Sequence, residues 1–167
     1  KLIAPFDHTG EKGFDVAYPP EQEINLNGVY EGKTGKIRWI DHETLDAYGV
    51  VDLNKVYGRP RTPDGSSYLD SPETLRQYKG VIAYALAEFH SSVQREVQIR
   101  LGSFCGNKVW LNGELLTSNA VYHAAMAIDQ YVGKGSLKPG RNTILVKIAQ
   151  NEQSESWAQT WQFQLRV

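Results

Sequence analysis

Residues 94–116, Gln-Arg-Glu-Val-Gln-Ile-Arg-Leu-Gly-Ser-Phe-Cys-Gly-Asn-Lys-Val-Trp-Leu-Asn-Gly-Glu-Leu-Leu, decide the fold. Val97, Ile99 and Leu101 alternate with Gln98 and Arg100, the period-two pattern of a strand with one buried face. The stretch reads as two short strands joined by a glycine-bracketed turn, with a second turn at Asn112-Gly113. Asn-Gly is a hairpin signal because both residues tolerate the positive φ of a type I′ turn. Nothing in the stretch carries catalytic chemistry, so function has to be sought in the loops.

Further strands follow from the same reasoning. Val81–Phe89 is apolar on both alternating sets, which marks a central strand covered on two faces. Val109–Leu111, Thr143–Ala149 and Trp161–Val167 are strands, the last setting Trp161, Phe163, Leu165 and Val167 against Gln162, Gln164 and Arg166. Upstream, residues 1–57 are punctuated by Gly and Pro, and short strands are expected at Glu23–Leu26, Ile37–Ile40 and Val50–Leu53. Residues 58–79 form the longest irregular stretch. Within it Pro63-Asp64-Gly65 is a turn, and Ser71-Pro72-Glu73-Thr74 opens a helical turn with Ser71 as cap and Pro72 in first position. Ala120–Gln130 is a weaker helical candidate. These elements predict an all-β, two-sheet antiparallel β-sandwich, a jelly roll, with long loops and at most short helical turns.

The 167 residues suit one domain over 1–167. The start at Lys1-Leu2-Ile3, without methionine, and the finish on a strand suggest a domain excised from a larger multidomain protein. Eighteen basic and nineteen acidic residues give a formal net charge of −1. No block of like charge stands out, so capture of nucleic acid or an anionic membrane surface is not expected. No apolar run approaches the ~18 residues that cross a bilayer. The single Cys105 has no partner for an internal disulfide and reads as a small apolar filler.

Catalytic signatures are missing from the sequence pattern. The carboxylate pairs Glu21/Glu23, Asp41/Glu43 and Glu152/Glu155 read as solvated loops or faces. His8, His42, His90 and His123 lack metal-ligand spacing, and the glycine spacings build no phosphate loop. A sugar site instead needs an aromatic platform for the C–H face of a pyranose and polar forks for its hydroxyls. Trp157 leads, because it lies in the polar loop Asn151–Thr160. Gln150, Asn151 and His123 would supply hydrogen bonds. Tyr122-His123 is a second candidate platform, and Tyr68 with Arg59 and Arg61 in the long loop a third. Trp39, Trp110 and Trp161 are assigned to the core or its edges.

Leu101-Gly102-Ser103, Lys108-Val109-Trp110-Leu111-Asn112-Gly113 and Leu137-Lys138-Pro139-Gly140-Arg141-Asn142-Thr143-Ile144-Leu145-Val146-Lys147 together resemble galactose-binding-like jelly rolls. In particular they are similar to the sugar-binding-domain-like modules of family 2 glycosidases and of many secreted bacterial multidomain proteins. Ala4-Pro5-Phe6-Asp7, Gly13-Phe14-Asp15 and Pro20-Glu21 resemble the start of such modules. The resemblance covers 81–167, holds more loosely over 1–57 and omits 58–79. It implies a non-catalytic accessory module that binds carbohydrate or packs against neighbouring domains, in an extracytoplasmic or secreted protein. It also implies that a structural Ca²⁺ could be held near the first and last strands, where Asp7, Asp15, Glu21, Glu23 and Asp129 offer hard oxygen donors; no ligand set is singled out. The chain departs from the pattern at Phe104-Cys105-Gly106-Asn107, where such modules often carry an acidic residue.

Overall fold

A strand apolar on both sets of side chains needs a cover on both sides, and that requirement organises the molecule. The computed structural model describes all residues, Lys1–Val167. Strands β1 (Leu2–Asp7), β2 (Val29–Gly32), β3 (Gly35–Arg38), β4 (Val50–Asp52), β5 (Val81–Ser91), β6 (Arg95–Ser103), β7 (Gly106–Leu111), β8 (Glu114–Asn119), β9 (Tyr131–Leu137), β10 (Gly140–Gln150) and β11 (Gln162–Arg166) carry the fold. The helices are short: α1 (Pro19–Gln22), α2 (Leu53–Val56) and α3 (Pro72–Tyr78), with 3₁₀ turns at Thr9–Phe14 and Ser156–Ala158.

Five strands in the order β1-β5-β10-β7-β8 form one antiparallel sheet, and β4-β11-β6-β9 form a second; β2 and β3 make a separate hairpin. Between the two sheets lies a core of Leu2, Ala83, Ile99, Leu101, Val109, Ile144, Val146, Trp161 and Phe163, among others. The opposite face of the five-stranded sheet carries Ile3, Phe6, Ile82, Tyr84, Leu86 and Leu145, buried with Phe14 and Trp39 from residues 8–40. Both faces of β5 are therefore dry from Val81 to Tyr84. Burying each large apolar side chain stabilises the fold by roughly 1.5–3 kcal/mol. The β-sandwich expected from the sequence is the observed architecture.

Two local signals are realised as read. Asn112 and Gly113 take φ of 52° and 87° between β7 and β8, and the Ser71 side chain accepts from Thr74 N at the start of α3, with Pro72 leading the helix. Four expectations need correction. Glu23–Leu26 is not a strand: Asn25 closes a turn by accepting from Asn27 N and Gly28 N, and pairing begins only at Val29. Ile37–Ile40 ends as a strand at Arg38, with Ile40 making an isolated bridge to Leu2, and Leu53 belongs to α2 rather than to β4. Ala120–Gln130 is not helical, since His123 and Asp129 stand at φ of 58° and 60°. The glycine-bracketed turn does join two strands, β6 and β7, but they belong to different sheets. The chain crosses from one sheet to the other at Phe104-Cys105, where Ser103 Oγ accepts from Cys105 N and donates to Gln162 O. The bracketing glycines are needed for close approach: a Cβ on Gly102 would stand 2.5 Å from Ala127 O, and one on Gly106 would press the Tyr122 ring at 3.0 Å.

Candidate functional site

β5 starts and β10 finishes at the same end of the sandwich, and the loops gathered there hold most of the residues singled out from sequence. Gly80 N donates to Asn151 O (3.1 Å) and Gly80 O accepts from His8 N (2.7 Å), tying three segments together. Asn151 is buried and acts as a hub. Its Oδ1 accepts from His123 Nε2 (2.7 Å) and Gln153 N (3.3 Å), while its Nδ2 donates to Glu11 Oε1 and Gln153 Oε1 (both 3.1 Å).

Trp157 stands on this base. It occupies the 3₁₀ turn Ser156–Ala158, is 60% exposed, and meets the His123 ring edge-on at 5.3 Å and 86°. The turn beneath is fixed by Ala158, which is fully buried and whose carbonyl accepts from Lys79 Nζ (2.6 Å) and Gln150 Nε2 (3.2 Å). Gln159 Nε2 donates to Glu155 O (2.9 Å) and to Ser154 O. An exposed indole on a loop held by these hydrogen bonds is pre-organised, so little ordering cost remains for a ring that stacks on it. Beside it lies a shallow polar depression of about 520 Å³ lined by Gly10, Glu11 and residues 151–155.

Tyr122 is half-buried. Its hydroxyl shares a hydrogen bond with His8 Nε2 (2.8 Å), and desolvation raises its pKa. His8 is fully buried, its Nδ1 has no partner, and burial lowers its pKa to about 4. Gln150, named from sequence as a hydrogen-bonding fork, is also fully buried. Its Oε1 faces Cys105 Sγ (3.2 Å) and its amide nitrogen is spent on Ala158 O, so it braces the loop from below. Burial pushes the Cys105 thiol up to about 12, in keeping with an inert filler.

Arg61 and Tyr68 belong to a different locality. They face each other across an isolated bridge, with Arg61 Nη2 donating to Tyr68 OH at 2.7 Å. The Tyr68 ring carries two guanidinium groups, Arg59 at 4.2 Å and Arg61 at 4.4 Å. Arg59 is buried and held by Asp70 at 2.9 Å. No hydrogen bond or ring contact joins this pair to Trp157. Nor do the carboxylates considered for calcium converge. Asp7 pairs with Lys33, Asp15 with Lys108, Glu21 with Lys147, and Asp129 with Arg100 and Arg166, while Glu23 has no ion-pair partner. No group of three or more His, Cys, Asp or Glu side chains is placed to hold a metal ion.

Sequence reasoning passed over Glu11 and read Glu152 only as a solvated loop carboxylate. Glu152 Oε2 accepts from Gly10 N (2.8 Å), joining two loops 142 residues apart. No local pattern marks such a contact. At the other end of the sandwich, a trough of about 880 Å³ opens between the sheets, lined by Ala87, Phe89, Val97 and Leu165 with Arg95 and Arg100 at its rim.

No family model matches the chain, and no relative was found among curated proteins. Among solved structures it is similar to a β-glucosidase from Kluyveromyces marxianus in complex with glucose, at 14% identity and a TM-score of 0.46, over 91% of this chain and 17% of the other. An anti-sigma factor domain-containing protein gives 16% identity and a TM-score of 0.45, over 92% and 46%. A GH31 α-xylosidase from Xanthomonas citri gives 17% identity and a TM-score of 0.34, over 52% and 10%. This chain thus spans less than half the length of each of these proteins.

Proposed function

We propose that this chain is a non-catalytic, galactose-binding-like accessory module that binds carbohydrate at the loop rim around Trp157. The observation that carries the reading is the exposed Trp157 ring, set edge-on against His123 above a hydrogen-bonded hub at Asn151. The ring face offers the apolar surface a pyranose requires, and Gln153, Ser154 and Glu155 line the adjoining depression with exposed polar side chains. Asn151 and His123 position the rim, and Gln150 supports it from beneath.

Trp157 is the one exposed tryptophan of four: Trp39 and Trp161 are buried and Trp110 is half-buried. A glycan that stacks on it should change the red-shifted part of the emission. The test is a screen of oligo- and polysaccharides followed by fluorescence titration of each hit. Trp157→Ala is expected to weaken binding by at least about 2 kcal/mol, roughly thirtyfold, as for a central aromatic anchor. Thermal stability should stay at the wild-type value. Unchanged affinity in that variant would remove Trp157 from the site. Silence across the whole screen would favour a second reading, a module that docks on a neighbouring domain. That reading is supported by Leu45, 96% exposed, and Tyr48, both on the loop between Asp41 and Gly49.

A further inference from the structure

Lys33 lies in the turn between β2 and β3, yet its ammonium reaches the base of the Trp157 rim. The side chain is only 10% exposed. Its Nζ donates to Gly80 O (2.7 Å), Lys79 O (2.9 Å) and Thr9 Oγ1 (3.0 Å), and stands 3.3 Å from Asp7 Oδ1. Two carbonyls, a hydroxyl and a carboxylate are the oxygen set that a hard divalent cation takes, with water completing the shell. Here three ammonium protons serve the four oxygens.

We propose that Lys33 is a resident cation: its ammonium occupies an oxygen-lined site of divalent-cation character and holds the floor of the rim without metal. The site joins three segments, the end of β1 with Thr9, the β2–β3 turn, and the junction of α3 with β5. Gly80 is the shared element. Its carbonyl takes both Lys33 Nζ and His8 N, and its amide donates to Asn151 O. A Cβ on Gly80 would stand 3.0 Å from Lys33 Nζ and 2.8 Å from Glu152 Cγ, so ammonium, glycine and rim are in direct contact. Another internal ammonium, Lys147, shows the contrast. It meets Phe14 O, Val16 O and Glu21, but the rings of Phe14, Tyr18 and Tyr84 surround it within 6.0 Å and leave no place for a metal's water shell.

Removing the Lys33 side chain leaves the Lys79 and Gly80 carbonyls facing the opening beside the exposed Thr9 hydroxyl and Asp7 carboxylate, four oxygens around the space an ion would take. The test is thermal unfolding of the full chain in calcium chloride and in chelator. Wild type is expected to melt at the same temperature in both. Lys33→Ala should melt lower in chelator by about 5 °C and regain most of that in millimolar calcium, because a ligand bound only by the folded state stabilises it. Lys33→Met, whose uncharged chain fills the space, should show the loss without the recovery. Terbium luminescence excited through Tyr18, whose hydroxyl donates to Asp7 O, should appear in Lys33→Ala and not in wild type. If Lys33→Ala is unfolded in chelator, calcium titration followed by circular dichroism reads the same linkage. A Lys33→Ala variant indifferent to calcium, or unfolded with and without it, overturns the proposal. So does a wild type that gains stability from calcium. None of these readouts requires a glycan, so failure here leaves the Trp157 reading standing, and failure of the glycan screen leaves this one standing.

Discussion

Two loops of this molecule present an aromatic ring among polar neighbours, and they do opposite things with it. In the rim, Trp157 stays mostly exposed with only the His123 ring against it, and the hydrogen bonds are made by the residues beneath it. In the long loop, Tyr68 is already engaged by Arg59 and Arg61, and its hydroxyl is bonded to Arg61. The composition of the two stretches suggests similar roles. What separates them is where the partners sit: below the ring in the rim, on the ring in the long loop. An aromatic residue becomes a platform only when its faces are left unclaimed.

The sharpest way to break this contrast is Asn151→Ala. That change removes the acceptor for His123 and the donor to Glu11 and Gln153, and it should cost about 1–3 kcal/mol of stability. Because His123 sets the Trp157 ring edge-on, glycan affinity should fall in the same variant, as read by urea unfolding and titration side by side. Lost stability with unchanged affinity would separate the hub from the platform.

Acid provides the next test. The folded pKa of His8 is about 4, lowered from 6.5 chiefly by burial, with Lys147 and Lys33 also lowering it while Glu11 and Asp7 oppose them. The unfolded chain therefore takes up this proton at a higher pH than the folded one. The stability due to neutral His8 is full above about pH 6.5 and is lost as pH falls towards 4. At pH 5 the loss should be about 2 kcal/mol relative to pH 8, and His8→Gln should flatten this limb of the urea-midpoint profile. An unchanged profile in His8→Gln would contradict this origin of the acid sensitivity. The smallest effect is expected at the long loop. Tyr68→Ala should cost about 0.5–1 kcal/mol in lost cation–π contact and leave glycan affinity alone. Weakened binding there would return Arg61 and Tyr68 to the site.

Particular residues show why part of this was legible in the sequence. Val81 to Leu86, Asn112-Gly113 and Ser71-Pro72 carry their structure in local chemistry: two-faced apolarity, positive φ and a side-chain cap. The exposed Trp157 was legible because its neighbours Glu155 and Ser156 are polar, and the rim brings together Trp157, His123, Asn151 and Tyr122, all read from sequence. The crossing at Phe104-Cys105 was not legible, because glycine-bracketed turns look alike whether the chain pairs with itself or changes sheet. β9 was hidden by Gly133 and Gly135, which lie against Leu116 and Leu111 where a Cβ would not fit. Gln150, the last residue of β10, is buried although the loop that follows it is polar, and the contacts of Glu11 and Glu152 depend on segments that meet only when folded.

The strand order has a consequence for how the chain reaches this structure. Only β2–β3 and β7–β8 pair strands that follow one another; β1 must wait for β5, β5 for β10, and β4 and β6 for β11. Each of these pairings closes a long loop before any contact repays the lost chain entropy. The β7–β8 hairpin can form early, whereas the rim, assembled from residues near 8, 80, 123, 151 and 157, comes together only after β5 and β10 have met. Folding should therefore be slow, on the order of milliseconds to seconds, and Trp157 should acquire its native emission in the last phase of refolding.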